Sequence, residues 1–283
     1  MMKKGINIWS FSEGTSIERA IGLAKQAGFD GIELSLNETG ELGLDAGDKE
    51  IAEIRERVED AGLEIAGLAT GLYWSYSMTS GDESRRGKAI DVCKKQLEVA
   101  SALGVDAILV IPGAVGVDFI PGAEVVPYDA AYDRALEAIG SLVPYAASAG
   151  VSIAIENVWN KFLLSPLEMR GFIDAHGSSC VGSYFDVGNV VHSGYPEHWI
   201  RVLGERIKKV HFKDYRRQAG GLHGFVDLLA GDVDYPAVVA ALNEIGYDNY
   251  VTAEMIPPYA HHADQMIFNT SGAMDAILGR AGR

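Results

Sequence analysis

Short apolar runs and helical repeats alternate along this chain from end to end, and that alternation leaves few folds open. The runs fall at 5–9, 30–34, 63–69, 106–111, 151–156, 181–186, 207–212 and 249–254, each rich in Ile, Val, Leu or Phe. Runs so short and so apolar suit strands of a parallel sheet covered on both faces. Between them Ile17, Ala20, Ile21 and Ala24 recur at helical spacing, as do Ile51, Ile54 and Val58. Further helices fit 84–103, 129–149, 166–175, 196–204 and 235–245. Several stretches stop at Gly, as in Ala27-Gly28, Ala61-Gly62, Leu103-Gly104, Ala149-Gly150 and Ile245-Gly246. Gly there supplies the left-handed residue that ends a helix before the next strand begins.

Strand followed by helix, eight times over, predicts an α/β chain closed into a (β/α)8 TIM barrel. The rival architecture, an open doubly wound sheet, would more naturally carry a glycine-rich phosphate turn after its first strand. That position reads Trp9-Ser10-Phe11-Ser12-Glu13-Gly14 instead. No low-complexity tract or linker divides the 283 residues, so 1–283 is expected to be a single domain. The longer connections, around 70–83, 112–127 and 213–234, all follow strands and would rise from the catalytic face of a barrel.

Four strand candidates end on a residue that a buried strand does not favour: Glu156, Asp186, His211 and Glu254. A charged or metal-binding group there is costly unless it is paired or coordinated. Taken singly, each has a bland explanation as a helix cap, a turn residue, a Lys partner or a satisfied core histidine. Parallel strands of a barrel, however, end on one face, so the last four can reach one centre. Three carboxylates and an imidazole suit a divalent cation with positions left for substrate oxygens.

The net charge of −15 argues against a nucleic-acid or anionic-membrane surface, which needs clustered Lys and Arg. The N-terminus, Met1-Met2-Lys3-Lys4, has charge without a signal-type apolar stretch, and no run is long enough to span a bilayer. Cys93 and Cys180 lack CxxC spacing and read as reduced thiols of a cytoplasmic protein. A homo-oligomer stays open.

At this point the chain resembles the sugar phosphate isomerase/epimerase group, the xylose-isomerase-like TIM barrels, over nearly its whole length. The resemblance rests on Ile155-Glu156-Asn157, Phe185-Asp186-Val187-Gly188-Asn189, Val210-His211-Phe212-Lys213-Asp214, Gly231-Asp232-Val233-Asp234-Tyr235 and Ala253-Glu254. It implies that Glu156, Asp186, His211 and Glu254 are metal ligands and that Glu156 and Glu254 double as acid/base catalysts. It also implies a divalent ion, Mn²⁺ or Mg²⁺ first, with Zn²⁺ or Co²⁺ as other choices. The chemistry is consistent. Epimerisation beside a ketone removes a weakly acidic C–H proton and returns one to the other face, which two positioned carboxylates can do. The cation would polarise the carbonyl and stabilise the enediolate.

Further substrate contacts are expected from Asn189, Arg217 and Lys213. The resemblance implies that Arg217, six residues beyond His211, contacts the substrate near the oxygens that become negative; a solvated basic loop is the plainer reading. Some free-ketose epimerases carry His where Asn189 stands and an acidic residue where Phe162 stands. Asp-Val-Gly-Asn with His-Phe-Lys-Asp looks closer to epimerases of phosphorylated pentuloses. Trp9, Tyr73, Trp74 and Trp159 would either wall a sugar pocket or plug the barrel mouth. Ser75, Ser77, Lys161, Lys213 and Arg216 could meet a phosphate, but none forms a phosphate loop. His192 and His223 follow late strands.

The reading is therefore a metal-dependent 3-epimerase of a ketose phosphate, a small-molecule sugar enzyme. Free-ketose 3-epimerisation, aldose–ketose isomerisation and dehydration of an inosose-type keto-polyol use similar proton chemistry. Apurinic endonucleases share the superfamily but need a richer His cluster and a basic face. A non-catalytic sugar-binding barrel would not need all four ligands.

Overall fold

The computed structural model describes residues 2–280. Eight parallel strands close into a barrel in the order β1-β10-β7-β6-β5-β4-β3-β2. They are β1 (Lys3–Asn7), β2 (Gly31–Ser35), β3 (Glu64–Ala69), β4 (Ala107–Val110), β5 (Ser152–Glu156), β6 (Val181–Asp186), β7 (Ile207–Phe212) and β10 (Tyr250–Ala253). The remaining two, β8 (Asp214–Tyr215) and β9 (Phe225–Val226), pair antiparallel in the connection after β7. The eight barrel strands match the eight apolar runs to within two residues at each end. The first differs most in meaning. The strand stops at Asn7, and Trp9 belongs to a 3-10 turn over Ile8–Ser10, because the Asn7 side chain accepts a hydrogen bond from the Trp9 amide.

Helices α1 (Ile17–Gln26), α2 (Asp48–Asp60), α3 (Glu83–Leu103), α4 (Tyr128–Ala149), α5 (Pro166–Asp174), α6 (Pro196–Leu203), α7 (Tyr235–Glu244) and α8 (Ala263–Ile277) surround the barrel. Their starts are chemical. Ser16, Ser165 and Asp234 each accept from the amide three residues on, and Pro166, Pro196 and Pro236 open their helices where a missing N–H costs nothing. α3 and α4 end on Gly104 and Gly150 with φ of 77° and 67°, as the Leu-Gly and Ala-Gly endings predict. The eighth helix is the one no helical stretch anticipated. It lacks a side-chain cap at His262 and contains Asn269, Thr270, Ser271 and Gly272. Its buried face, Met266, Ile267, Thr270 and Met274, forms it by packing rather than by propensity.

The core is one continuous cluster that fills the barrel and the layer between strands and helices. Among the described residues no helix is long and apolar enough to cross a membrane.

Candidate metal centre

Glu156 closes β5, Asp186 closes β6, His211 is the penultimate residue of β7, and Glu254 directly follows β10. All four are buried, and each offers one ligand atom within 4.8 Å of the others. His211 Nδ1 lies 3.1 Å from Glu254 Oε2 and 3.9 Å from both Glu156 Oε1 and Asp186 Oδ2. The turn after β6 fixes Asp186. Its amide donates to Asn157 Oδ1 (2.9 Å), and its Oδ1 accepts from the Asn189 amide (2.8 Å). Glu254 is fixed by its own amide to the Phe212 carbonyl (3.1 Å) and by the Met255 amide to Ser10 Oγ (2.9 Å).

The cluster fits a divalent cation on its own atoms. Asp186 Oδ2, His211 Nδ1 and Glu254 Oε2 are buried without a hydrogen bond of acceptable geometry. Buried polar atoms rarely stay so unless something else satisfies them. Three carboxylates and an imidazole are donors that such a cation accepts. Lys213 approaches the same atoms. Its Nζ lies 2.5 Å from Glu254 Oε2 and 3.1 Å from Asp186 Oδ2, within ion-pair range but off hydrogen-bonding angles.

The electrostatics divide the carboxyls. Burial pushes Glu156 up to about 8, the Lys213 ammonium opposes this, and the Glu254 and Asp186 carboxylates reinforce it. Burial also raises Asp186, again against Lys213. For Glu254 burial acts upward too, but Lys213 and His211 outweigh it and hold the carboxyl down at about 2. Burial alone would lower His211, yet Glu33 and Glu254 together raise it well above its ordinary value.

Glu33 is the residue that the sequence reading missed. It lies mid-strand in β2, fully buried, with Oε1 2.8 Å from His211 Nε2. Its signal was a lone carboxylate between Ile32 and Leu34 in a strand otherwise bound for the core.

The other expected contacts distribute unevenly. Lys213 joins the cluster. Asn189 is adjacent to it, but its side-chain amide donates to the Asn157 carbonyl (3.0 Å) and so pins the turn that carries Asp186. Trp159 donates from Nε1 to the Asn189 carbonyl (2.8 Å) and packs edge-on against Tyr215. It lines a cleft of about 420 Å³ beside the cluster, together with Asn157, Lys161, Asn189 and His192. Trp74 is half-buried against Phe119, and Trp9 is half-buried against the core. Tyr73 turns away into the core and donates to Gln96 Oε1 (2.8 Å), so it walls nothing. Phe162 is buried among Tyr128, Tyr132 and Phe172. Arg217 stands on the rim, with Nε donating to the Val191 carbonyl (3.0 Å) and its guanidinium over the Tyr195 ring. Arg216 is exposed and bonds the Ala230 carbonyl.

The profile of the family described as "Xylose isomerase-like TIM barrel" matches residues 21–269. The L-ribulose 3-epimerase of Mesorhizobium japonicum is 25% identical, over 90% of this chain and 81% of its own length. The L-ribulose-5-phosphate 3-epimerase UlaE of Salmonella typhi is 22% identical, over 92% of this chain and 89% of its own. The crystal structure of D-psicose 3-epimerase from Clostridium cellulolyticum H10 with D-tagatose superposes with a TM-score of 0.81. That similarity covers 98% of this chain and 99% of the other at 16% identity.

Proposed function

The chain belongs to the xylose isomerase-like TIM barrel family, and on that premise we propose that it is a divalent-metal-dependent 3-epimerase of a ketose phosphate. Kinship with sugar 3-epimerases along nine-tenths of its length makes it a carbohydrate epimerase. The observation that carries the reading is the convergence of Glu156, Asp186, His211 and Glu254 on one buried point.

In this reading all four residues would hold the ion, Mn²⁺ or Mg²⁺ before Zn²⁺ or Co²⁺; Asp186 and His211 would do only that, while Glu156 and Glu254 would also move the proton. When bound, the cation polarises the ketone and offsets the negative charge of the enediolate. Glu156 and Glu254 come from strands on different sides of the cluster, so each can address its own face of a sugar lying over it. One takes the C3 proton and the other returns one. The Lys213 ammonium supplies a fixed positive charge beside Glu254 and Asp186. The aromatic wall at Trp159 keeps water from the carbon that loses its proton, with Trp74 and Trp9 further round the mouth.

A phosphate on the far end of the sugar would meet Lys161 and His192 in the cleft, with Arg217 behind them on the rim. One observation favours an unphosphorylated ketose instead. Lys161 is already paired with Asp118 at 2.6 Å, and Lys213 is drawn into the carboxylates.

The test is proton–deuterium exchange in ²H₂O with Mn²⁺ present, on a panel of pentulose 5-phosphates and free pentuloses and hexuloses. Exchange at C3 with inversion on the phosphorylated members supports the proposal. Exchange confined to free sugars selects the second reading. Exchange at C1 with aldose formation, or loss of water, overturns 3-epimerisation in favour of an isomerase or a dehydratase.

A further inference from the structure

Glu33 is a buried carboxylate whose oxygens both point at donors. Oε1 lies 2.8 Å from His211 Nε2 and accepts from Asn7 Nδ2 at 2.5 Å, and Oε2 accepts from the Tyr184 hydroxyl. The five residues of this layer come from β1, β2, β3, β6 and β7, so it reaches across the barrel to the strand-end cluster through His211, which belongs to both. Its fifth member is Gly67. A Cβ there would stand 2.5 Å from Tyr184 Oη and 2.6 Å from Glu33 Oε2. A side chain on β3 would occupy the space in which Glu33 and Tyr184 meet. Tyr184 also presents its ring edge-on to His211, with centroids 4.8 Å apart. The imidazole is thus held by a hydrogen bond at one nitrogen and by an aromatic ring at its side.

We infer that Glu33 is a positioning residue for the metal centre, acting through His211, with Tyr184 as its support. The inference rests on the metal-centre reading given above. An imidazole has two nitrogens, and a metal ligand needs the lone pair of one of them. Glu33 holds the proton on Nε2, which leaves the Nδ1 lone pair for the cation, and it fixes the plane of the ring so that Nδ1 faces Glu156, Asp186 and Glu254. Carboxylates in this relation to a ligating histidine also raise its donor strength, and their loss costs about 10- to 100-fold in metal affinity. Asn7 adds a second anchor. Its Nδ2 donates to Glu33 while its Oδ1 caps the turn after β1, so the carboxylate is tied to the strand end as well as to the ring.

The test uses the full chain and the ions alone, with no sugar. Mn²⁺ binding is measured by equilibrium dialysis for wild type, Glu33→Leu, Glu33→Gln and Tyr184→Phe. In parallel, ¹⁵N-histidine-labelled, Zn²⁺-loaded protein is examined for a slowly exchanging ring N–H on His211. Glu33→Leu should weaken Mn²⁺ binding by about 10- to 100-fold and abolish the slow Nε2–H signal. Glu33→Gln keeps an acceptor oxygen at the same place, so it should retain the N–H signal while still binding Mn²⁺ more weakly. If the Leu variant fails to fold, the isosteric Gln and Phe variants carry the test, and unchanged Mn²⁺ binding in both overturns the role. A folded Leu variant with wild-type Mn²⁺ affinity and an intact N–H signal overturns the Glu33 role alone. A wild-type protein that binds no Mn²⁺ overturns the metal centre and this inference together.

Discussion

The Lys213 ammonium stands 2.5 Å from Glu254 Oε2, inside the carboxylate cluster rather than out where a substrate phosphate would lie. Both groups are buried. Removing one partner of a buried ion pair leaves the other charge uncompensated, at a cost of roughly 3–5 kcal/mol. Lys213→Met should therefore lower stability by about that amount in urea denaturation, because Asp186 and Glu254 lose their shared cation. Combining it with Glu254→Gln should cost less than the sum of the two single changes. A double-mutant cycle with no coupling would show that the pair does not interact.

Glu156→Gln and Glu254→Gln test the proton-moving pair. The amide keeps the shape and one oxygen for a cation, but it cannot take up a proton. Each change should reduce kcat by about 10²- to 10⁴-fold. The decrease should appear equally in the rate of C3 deuterium exchange, with Mn²⁺ still bound at dialysis equilibrium. Near-normal turnover in either variant would remove that glutamate from the mechanism.

Chelation should abolish exchange, and excess Mn²⁺ or Mg²⁺ should restore it. An ion that binds the folded cluster and not the unfolded chain adds stability by mass action, about 2.7 kcal/mol at a hundred times its Kd. The melting temperature should rise with ion concentration and fall back with EDTA. A melting temperature indifferent to every divalent ion would contradict the metal centre.

How far the sequence reaches can be judged on particular residues. The barrel was legible because short, largely apolar runs alternate with helical repeats, several of which stop at Gly. The convergence of Glu156, Asp186, His211 and Glu254 was legible because they interrupt that pattern at its C-terminal edge, where a parallel barrel gathers strand ends. Glu33 breaks the same pattern in mid-strand. Whether a mid-strand side chain faces the barrel axis depends on register with β1 and β3, which one sequence does not display. Tyr73 and Arg217 differ for another reason. Both lie after a strand on the catalytic face, but Gln96 draws one into the core and the Val191 carbonyl and Tyr195 hold the other on the rim. Those partners come from distant parts of the chain. The helix α8 was missed because its middle, Asn269 to Gly272, is made of poor helix formers and its order comes from tertiary burial.

Cys93 gives a prediction in pH. Burial pushes its thiol up to about 12, against the pull of the neighbouring Tyr73 hydroxyl. The thiolate is the reactive form, so the folded protein should titrate with a disulfide reagent at pH 8 through half-buried Cys180 alone. Unfolding in guanidinium should release the second thiol. The linkage has a definite sign: the folded value is raised, so the contribution to stability is complete below about pH 9 and is lost as pH climbs toward 12. Rapid modification of both thiols in the native protein at pH 8 would contradict the burial.

Asp214 organises the connection that follows β7. Its Oδ1 accepts from the amides of Tyr215 (2.8 Å) and Val233 (3.2 Å), and its Oδ2 from those of Leu229 (2.9 Å) and Gly231 (3.1 Å). One carboxylate thereby gathers both ends of the segment that bears Arg216, Arg217 and His223. Gly231 has to be glycine for this, since a Cβ would stand 2.1 Å from Asp214 Oδ1. Hydrogen bonds to a charged acceptor contribute roughly 1.5–3 kcal/mol each, but freed amides in a surface connection regain water. The loss should therefore show as local opening more than global unfolding. Asp214→Ala should raise amide exchange across residues 215–233 and expose Arg216 and Arg217 to trypsin, while the melting temperature moves by a few degrees. On the proposed reading KM should rise more than kcat falls, because the segment carries none of the four clustered residues. Unchanged exchange in that segment would show that β8, β9 and their neighbours hold it without the carboxylate.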